Sequence, residues 1–176
     1  DAAINAGDWL SSIQQPDGWF PTTAYSKSTH TYHSRVAWAL LRLSEVSQRS
    51  IYRDMAILNL NWVVSKQQDN GWFDISANDE ITHLIAYTGR GLLEASVLLG
   101  TDDYLQSARR LADVLLEIQL DSGRLYGRYD FRWHPTVEWH CVTGDLQIAI
   151  IWLRLYHMTG NEDYHRGAKS AIEHVT

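Results

Sequence analysis

The sequence predicts an all-α protein built from antiparallel helical hairpins, and three observations carry this prediction. Apolar residues recur with helical periodicity along nearly the whole chain of 176 residues, and no run alternates as a strand would. One motif with a central glutamine and a later glycine occurs three times at a nearly constant spacing, which is typical of repeat architectures. Tight corners alternate with longer loops. We therefore expect about three and a half repeats of loop, helix, tight corner and helix.

The repeated motif places a glutamine four residues before a glycine. Its copies are Trp9–Phe20, Trp62–Phe73 and Val114–Leu125, which begin 53 and then 52 residues apart. The third copy keeps the glutamine and the glycine but lacks the terminal aromatic residue. Each glycine follows Asp, Asn or Ser, and such pairs favour turns because glycine accepts positive φ. Each motif therefore predicts the end of a helix and the start of a long loop.

Periodicity and turn signals together predict seven helices. In chain order they span about 2–15, 31–47, 50–68, 81–99, 102–119, 139–159 and 161–175. At two of the tight corners a glycine, Gly100 or Gly160, is expected to end one helix. Thr101 and Asn161 are then expected to cap the helices that follow.

The repeats form a single predicted domain. They run roughly over 1–49, 50–101 and 102–161, with a partial repeat over 162–176. Tyr52, Tyr104 and Tyr164 occupy equivalent positions just after each corner. Four helices belong to one type and three to the other, and neither end shows a polar capping helix. We expect the chain to be part of a larger ring, or to associate with another copy through its open repeat ends.

Composition excludes several classes of protein. The chain is 45% hydrophobic and 20% charged, which is typical of a globular protein. A net charge of -6 without basic runs argues against a nucleic-acid partner. No apolar stretch is long and uncharged enough to predict a membrane span. The single cysteine, Cys141, excludes an internal disulfide framework and fits a reducing compartment, so we expect a cytoplasmic location.

The first copy of the motif resembles a known repeat. Residues 7–20 read Gly-x-Trp-Leu-x-x-x-Gln-x-x-x-Gly-x-Phe, which is similar to the QW motif of squalene and hopene cyclases and related prenyltransferase-type repeats. The resemblance implies an (α/α) toroid in which the motif joins an outer to an inner helix and its glutamine braces helix ends. Six-hairpin glycosidases and sugar epimerases share this architecture, so the fold alone assigns no function. The acidic motifs with which cyclases and diphosphate-dependent synthases work are absent from the sequence.

The starts of the predicted inner helices are unusually polar, and helix N-termini favour anions. His83, Tyr87 and Arg90 share one helical face by their i, i+4, i+7 spacing, and so do His140 and Gln147. Such groups rarely face a core unless they are hydrogen-bonded or used. The predicted ligand-binding residues are His30, His33, Arg35, His83, Tyr87, Arg90, Trp133, Trp139 and Gln147. The alternative is that these side chains cap helices and bond between them.

General acid–base chemistry on a sugar needs two carboxyl groups across a cleft. Glu138 and Asp145 flank the third inner-helix start, with His140 between them, and these three are the predicted catalytic residues. The long loops carry further carboxyl groups, at Asp74, Asp79, Glu80 and Asp130. Such loop carboxylates are most often solvated or capping, so each is a weaker candidate.

The third long loop is dense in aromatic and arginine side chains between Tyr126 and His134. Over a cavity mouth it would suit sugar stacking or the clamping of an acidic group. The alternative is that the loop packs on its own aromatic residues. His140 and Cys141 are neighbours that would point about 100° apart on a helix, so we predict no metal site and no cofactor.

These observations favour an α/α-toroid protein with an aromatic, His- and Arg-lined cavity that binds or processes a carbohydrate, either a small molecule or an oligosaccharide. If it is an enzyme, the expected chemistry is that of a hydrolase, lyase or epimerase. Two alternatives stay open. One is a prenyltransferase- or terpene-cyclase-like protein that acts on isoprenoids, as the motif implies. The other is a non-catalytic helical scaffold that presents one face to a protein.

Overall fold

The computed structural model describes residues 2–21, 29–74 and 79–175, and these ranges hold seven α-helices. The helices are Ala2–Ile13 (α1), Ser34–Ser47 (α2), Ser50–Ser65 (α3), Thr82–Leu99 (α4), Asp102–Glu117 (α5), Val142–Thr159 (α6) and Glu162–Val175 (α7). One turn of 3-10 helix, Thr31–His33, leads into α2. The predicted all-α fold class is confirmed. Among the helices described, none combines the length and apolar character needed to cross a bilayer.

Two short strands were not expected from the sequence. Asp79–Ile81 (β1) and Arg128–Asp130 (β2) pair antiparallel, with Glu80 opposite Tyr129. Three residues are too few to show the alternation by which a strand is recognised, which is why the pattern gave no sign of them. The pair ties the second long loop (residues 66–81) to the third long loop (residues 118–141).

The helices form two layers. The inner layer is α2, α4 and α6, each in contact with the next, and each is joined by a tight corner to the outer helix that packs against it: α3, α5 or α7. Gly100 and Gly160 end α4 and α6 in the left-handed conformation, as predicted, at φ 64° and 71°. Asn161 accepts the Asp163 N–H at 3.0 Å and so caps α7. Thr101 stands at the N-cap of α5 but makes no side-chain capping bond.

The three motif glutamines make the same two contacts in every repeat. Each donates from Nε2 to the carbonyl of its own motif glycine and to a carbonyl of the next outer helix. The acceptors are Gly18 and Met55 for Gln14 (3.1 and 2.9 Å), Gly71 and Ser107 for Gln67 (3.3 and 2.9 Å), and Gly123 and Gly167 for Gln119 (both 2.9 Å). The motif is therefore a brace between successive outer helices.

The corner tyrosines add a second periodic contact. Each donates its hydroxyl to a polar side chain of the preceding outer helix, and the acceptors are Asp8 for Tyr52, Asn61 for Tyr104 and Asp113 for Tyr164. The acceptors stand 53 and then 52 residues apart, so they follow the period of the motif. All three rings are buried between the layers. Packing against its neighbour thus holds each repeat in register.

Candidate functional site

The N-terminal ends of the inner helices α2 and α4 bring five chemically useful side chains to one end of the inner layer. We call them the mouth cluster: Tyr32, Arg35, Glu80, His83 and Tyr87. The Arg35 guanidinium carbon lies 4.1 Å from the centre of the Tyr87 ring, and the His83 ring lies 5.5 Å from that same ring. Arg35 is exposed, whereas Tyr87 and His83 are half-buried. Three of the predicted ligand-binding residues therefore lie together.

Close contact between α2 and α4 fixes this arrangement. Ser34 donates to the Thr88 carbonyl at 3.0 Å, and the hydroxyls of Thr31 and Thr88 lie 3.1 Å apart. A Cβ on Gly91 would lie 2.4 Å from the Ser34 backbone, so only glycine permits this approach. Since Arg35 follows Ser34 directly, these contacts set its position over Tyr87.

His30 and His33 lie behind the mouth cluster. The His30 ring stacks on Tyr32 at 4.5 Å, and the His33 ring meets Tyr32 edge-on at 5.0 Å. Burial lowers the pKa of His30, and burial together with the neighbouring His30 lowers the pKa of His33 to about 4. Both imidazoles are therefore neutral near pH 7, and they support the Tyr32 ring without presenting a positive charge.

Glu80 is the carboxyl group of the mouth cluster. It is half-buried, and its Oε1 accepts the Ile81 N–H at 2.8 Å. Burial is the main cause that raises the pKa of Glu80. The pKa of Tyr32 is also raised, first by burial and then by the charge of Glu80. Glu80 also borders a cavity of about 20 Å³, which Thr31, Thr88 and Trp133 line as well and which has room for one water molecule.

His83 also approaches the third inner helix. Its Nδ1 lies 3.9 Å from Sγ of Cys141, the N-cap residue of α6, and burial lowers its pKa. Within the described ranges, no three His, Cys, Asp or Glu side chains are grouped so that they could hold a metal ion.

The third long loop is where structure and sequence pattern differ most. Helix α6 begins at Val142 and not at residue 139. Trp139 accepts the Gly127 N–H at 2.8 Å, and Nδ1 of His140 lies 2.8 Å from the Leu125 carbonyl, so these contacts keep the segment extended. The prediction that His140 and Gln147 share a helical face is therefore wrong.

Trp133 lies in the core between two loops. Only 8% of it is exposed, its Nε1 donates to the Asn70 carbonyl at 2.9 Å, and its ring meets Trp72 edge-on at 5.2 Å. A bidentate ion pair joins the same loops: Nε and Nη2 of Arg128 donate to the two carboxylate oxygens of Asp79 at 2.9 and 2.8 Å. These bonds lower the pKa of Asp79. The Trp133 ring also lies 5.9 Å from that of Tyr129 on its own loop, so it packs on aromatic residues of both loops and is not open at a cavity mouth.

The remaining predicted residues are spread around α6. Glu138 and Trp139 are exposed on the third long loop, and the Trp139 ring lies over Gly127. His140 stacks on Tyr126 at 5.4 Å. Gln147 is half-buried on α6. Asp145 is completely buried, and burial raises its pKa to about 6.

Arg90 lies further along α4, in an ion-pair group that spans α4 and α6. Its Nε donates to Oε1 of Glu94 at 2.8 Å. Arg154 of α6 donates to both oxygens of the same carboxylate, each at 3.0 Å. The Arg90 guanidinium also lies 5.6 Å from the ring centre of Trp38 on α2. All three inner helices thus contribute to this group.

Sequence reasoning overlooked Glu94, Arg154 and Trp38 and ranked Glu80 only as a loop carboxylate. Glu94 follows Arg90 by four residues, a spacing at which opposite charges pair on a helix, and this signal was available. Arg154 gave no local signal, because its partner is 60 residues away in the sequence. Glu80 shares its cavity with Thr31 and Trp133, which lie about 50 residues away on either side in the sequence, so the local pattern could not show its burial.

Comparison with solved structures identifies the fold. A possible member of the GH105 family from Salmonella enterica serovar Paratyphi A matches with a TM-score of 0.84 at 14% identity, over 98% of this chain and 52% of the other. A D-mannose isomerase matches with a TM-score of 0.80 at 16% identity, over 98% of this chain and 52% of the other. The unsaturated glucuronyl hydrolase of Bacillus sp. GL1 matches with a TM-score of 0.76 at 16% identity, over 98% of this chain and 54% of the other.

This likeness confirms the α/α-toroid part of the predicted resemblance and lends no support to its prenyltransferase and cyclase part. The chain spans about half the length of the solved structures it matches. No protein-family model matches the sequence, and no curated protein matches it either. At these identities the likeness shows the fold alone.

Proposed function

We propose that this α/α-toroid chain binds a carbohydrate at the mouth cluster and that the protein processes it there. The observation that carries the proposal is the contact of Arg35 with the face of Tyr87 at 4.1 Å, beside His83. A sugar has an apolar face that packs on an aromatic ring and hydroxyl groups that accept from a guanidinium. Here the guanidinium lies over the Tyr87 ring, so both kinds of partner belong to one stacked pair, on two helices held together by hydroxyl groups.

The toroids of similar structure give independent support. The isomerase and the glucuronyl hydrolase named above act on carbohydrates, as their names state. Identities of 14–16% carry no residue roles from them to this chain. The proposal therefore depends on the local geometry of the mouth cluster, and the likeness adds only a scaffold on which such chemistry occurs.

If the ligand is processed, we propose Glu80 as the general acid or base. A general acid works best when its pKa lies near the working pH, and burial raises the pKa of Glu80 in that direction. Asp145, predicted from the sequence, has no exposed surface through which it could reach a ligand in this arrangement. Glu138 is exposed before α6 and stays our candidate for a second carboxyl group.

The test is sugar binding by the protein in its full natural length, measured by thermal unfolding and titration calorimetry. The panel contains neutral mono- and oligosaccharides, uronic acids and isoprenyl diphosphates. A ligand that binds only the folded state raises the unfolding midpoint. We expect Arg35→Ala to weaken the binding of the best saccharide at least tenfold. Arg42→Ala, which removes an exposed arginine two turns further along α2, is the matched control and should leave it unchanged.

Two results would overturn the proposal. One is the absence of a midpoint shift with every saccharide while isoprenyl diphosphates give one. The other is a saccharide that binds wild type and Arg35→Ala with equal affinity, since binding would then occur elsewhere.

A further inference from the structure

The ion-pair group of Arg90, Glu94 and Arg154 carries one more positive than negative charge. Both guanidinium groups pair with the same carboxylate, and neither has another acidic partner within the described part of the chain. Glu94 is 9% exposed in its side chain, Arg90 25% and Arg154 39%. A partly buried charge without a counter-ion is unfavourable, and one arginine would be enough to tie the two helices together. The second arginine needs another explanation.

Donor groups remain available on both arginines. A guanidinium has five N–H groups. Glu94 accepts from Nε of Arg90, and from Nε and Nη2 of Arg154. Both terminal nitrogens of Arg90 and Nη1 of Arg154 therefore have no bonded partner among the residues described. The carboxylate of Glu94 holds both planes in place, and the ring of Trp38 lies beside that of Arg90. The donors are consequently pre-arranged.

These groups lie on the inner face, by which we mean the side of the α2, α4 and α6 layer that is turned away from the outer helices. Between the start of α4 and Glu94 the partly exposed positions are His83, Leu84, Tyr87 and Arg90. Of these, His83, Tyr87 and Arg90 continue to Glu94 at helical spacing. Seven residues separate Tyr87 from Glu94, which is about 10 Å at the rise of an α-helix. The group is thus a neighbour of the mouth cluster along one helix and is distinct from it.

We propose that Arg90 and Arg154 form a binding subsite for an oxyanion on the inner face. Paired guanidinium donors match the two oxygens of a carboxylate or a sulfate, and such charge-assisted bonds are among the stronger ones in proteins. The oxyanion comes either from an acidic group on a saccharide that extends from the mouth cluster or from a free small anion. The first source depends on the proposed function, whereas the second does not.

The test is anion-dependent thermal unfolding of the full-length protein at low ionic strength, with sodium glucuronate, sodium sulfate and glucose as probes. We expect both anions to raise the midpoint of wild type in a saturable way. Arg154→Gln should weaken this apparent affinity at least tenfold, and so should Arg90→Gln. Arg154→Lys keeps the charge without the paired donors, so its effect should be smaller. Arg42 lies two turns after Arg35 on α2 and forms an exposed ion pair with Glu45. The control variant Arg42→Gln should therefore respond to the anions as wild type does.

The outcomes separate the two proposals. A subsite that prefers glucuronate to sulfate, and loses this preference in Arg35→Ala, indicates an acidic saccharide that spans both regions. Equal responses to both anions in wild type and Arg35→Ala indicate a free anion, and the subsite then stands even if the mouth cluster binds no sugar. An anion response that is as strong in Arg154→Gln as in wild type, or absent in wild type, overturns the subsite and leaves the three residues a structural tie.

Discussion

Asp145 of α6 accepts the backbone N–H of Leu125 at 3.2 Å, and its second carboxyl oxygen is buried without a partner among the described residues. The bond holds the third long loop on the inner layer. Burial of a charge without full compensation disfavours ionisation, so the pKa of Asp145 is raised to about 6, although the Leu125 N–H and the charge of His140 act in the opposite direction.

This raised pKa predicts that Asp145 makes the folded state less stable as pH increases. The folded protein keeps the proton up to about pH 6, whereas the unfolded chain releases it near its ordinary value of 3.8. The stabilisation is complete below pH 3.8 and is lost as pH rises through 6. Two pKa units correspond to about 3 kcal/mol. Urea unfolding of wild type and Asp145→Asn between pH 4 and 7.5 measures this contribution.

The difference between the two proteins removes the effects of all other titrating groups. Asparagine can still accept the Leu125 N–H and carries no charge. The stability of the variant relative to wild type should therefore increase as pH rises. A difference that stays constant over this range would show that the buried Asp145 does not titrate within it.

Gln67 should be important for stability because its side chain makes four hydrogen bonds at the brace between α3 and α5, one of which it accepts from Nη1 of Arg110 at 3.2 Å. It donates to the carbonyls of Gly71 and Ser107 and accepts the Ser107 hydroxyl at 2.7 Å. Gln67→Ala leaves these groups without their partner, which costs about 1–3 kcal/mol in the free energy of unfolding. Gln68→Ala removes the exposed neighbour and should cost less than about 0.5 kcal/mol. Equal costs in urea unfolding would mean that the motif glutamine is not a brace.

The motif glycine of the third repeat has two requirements that can be separated. Gly123 has φ of 87°, and a Cβ there would lie 2.2 Å from the Ser170 carbonyl oxygen of α7. Gly160 has a similar φ of 71° but no atom within 4 Å of such a Cβ. Both alanine variants bear the strain of the left-handed conformation, about 1–2 kcal/mol. Gly123→Ala should lose a further 1–3 kcal/mol or so from the clash with backbone.

Thermal or urea unfolding of the two variants gives the comparison. If Gly123→Ala and Gly160→Ala were equally destabilised, the third long loop would have to move away from α7 at little cost. The close contact between them would then add nothing to stability.

The hairpins could be predicted because their signals are local and repeated. A glycine that follows a helical pattern, as Gly160 does, commonly ends the helix. The motif glutamines recur at the period of the fold. The start of α6 could not be predicted, since His140 is held extended by a carbonyl 15 residues earlier in the chain. The same holds for Trp133, whose burial depends on a bond to Asn70, 63 residues away. Contacts of this kind leave no trace in local periodicity.

The candidate site shows the same division. The spacing of His83 and Tyr87 on one helical face was sufficient to place them together, and the polar start of α2 suggested Arg35 as a partner. The sequence pattern could not predict which carboxyl group lies beside these residues. Glu80 and Asp145 look alike as residues near a helix start, and only packing leaves the first partly exposed and the second fully buried.

The ring of Tyr87, and not its hydroxyl, should be what a saccharide at the mouth cluster needs. Its face holds the Arg35 guanidinium, an interaction of about 0.5–1 kcal/mol at a partly exposed site. Tyr87→Phe keeps the face, so saccharide affinity by calorimetry should stay within about threefold of wild type. Tyr87→Ala removes both the stacking surface and the support of Arg35, and affinity should fall about tenfold or more, which is 1.4 kcal/mol per decade.

A second arginine–aromatic pair provides the control for this prediction. Arg132 lies 5.1 Å from the ring centre of Phe131 on the third long loop, and that ring is 46% exposed. Phe131→Ala removes a similar pair outside the mouth cluster and should leave saccharide affinity unchanged. If Tyr87→Phe were as impaired as Tyr87→Ala, the hydroxyl would be the essential group, and a stacked sugar over Arg35 and Tyr87 would be the wrong arrangement. If Phe131→Ala were the more impaired variant, the third long loop would be the binding surface.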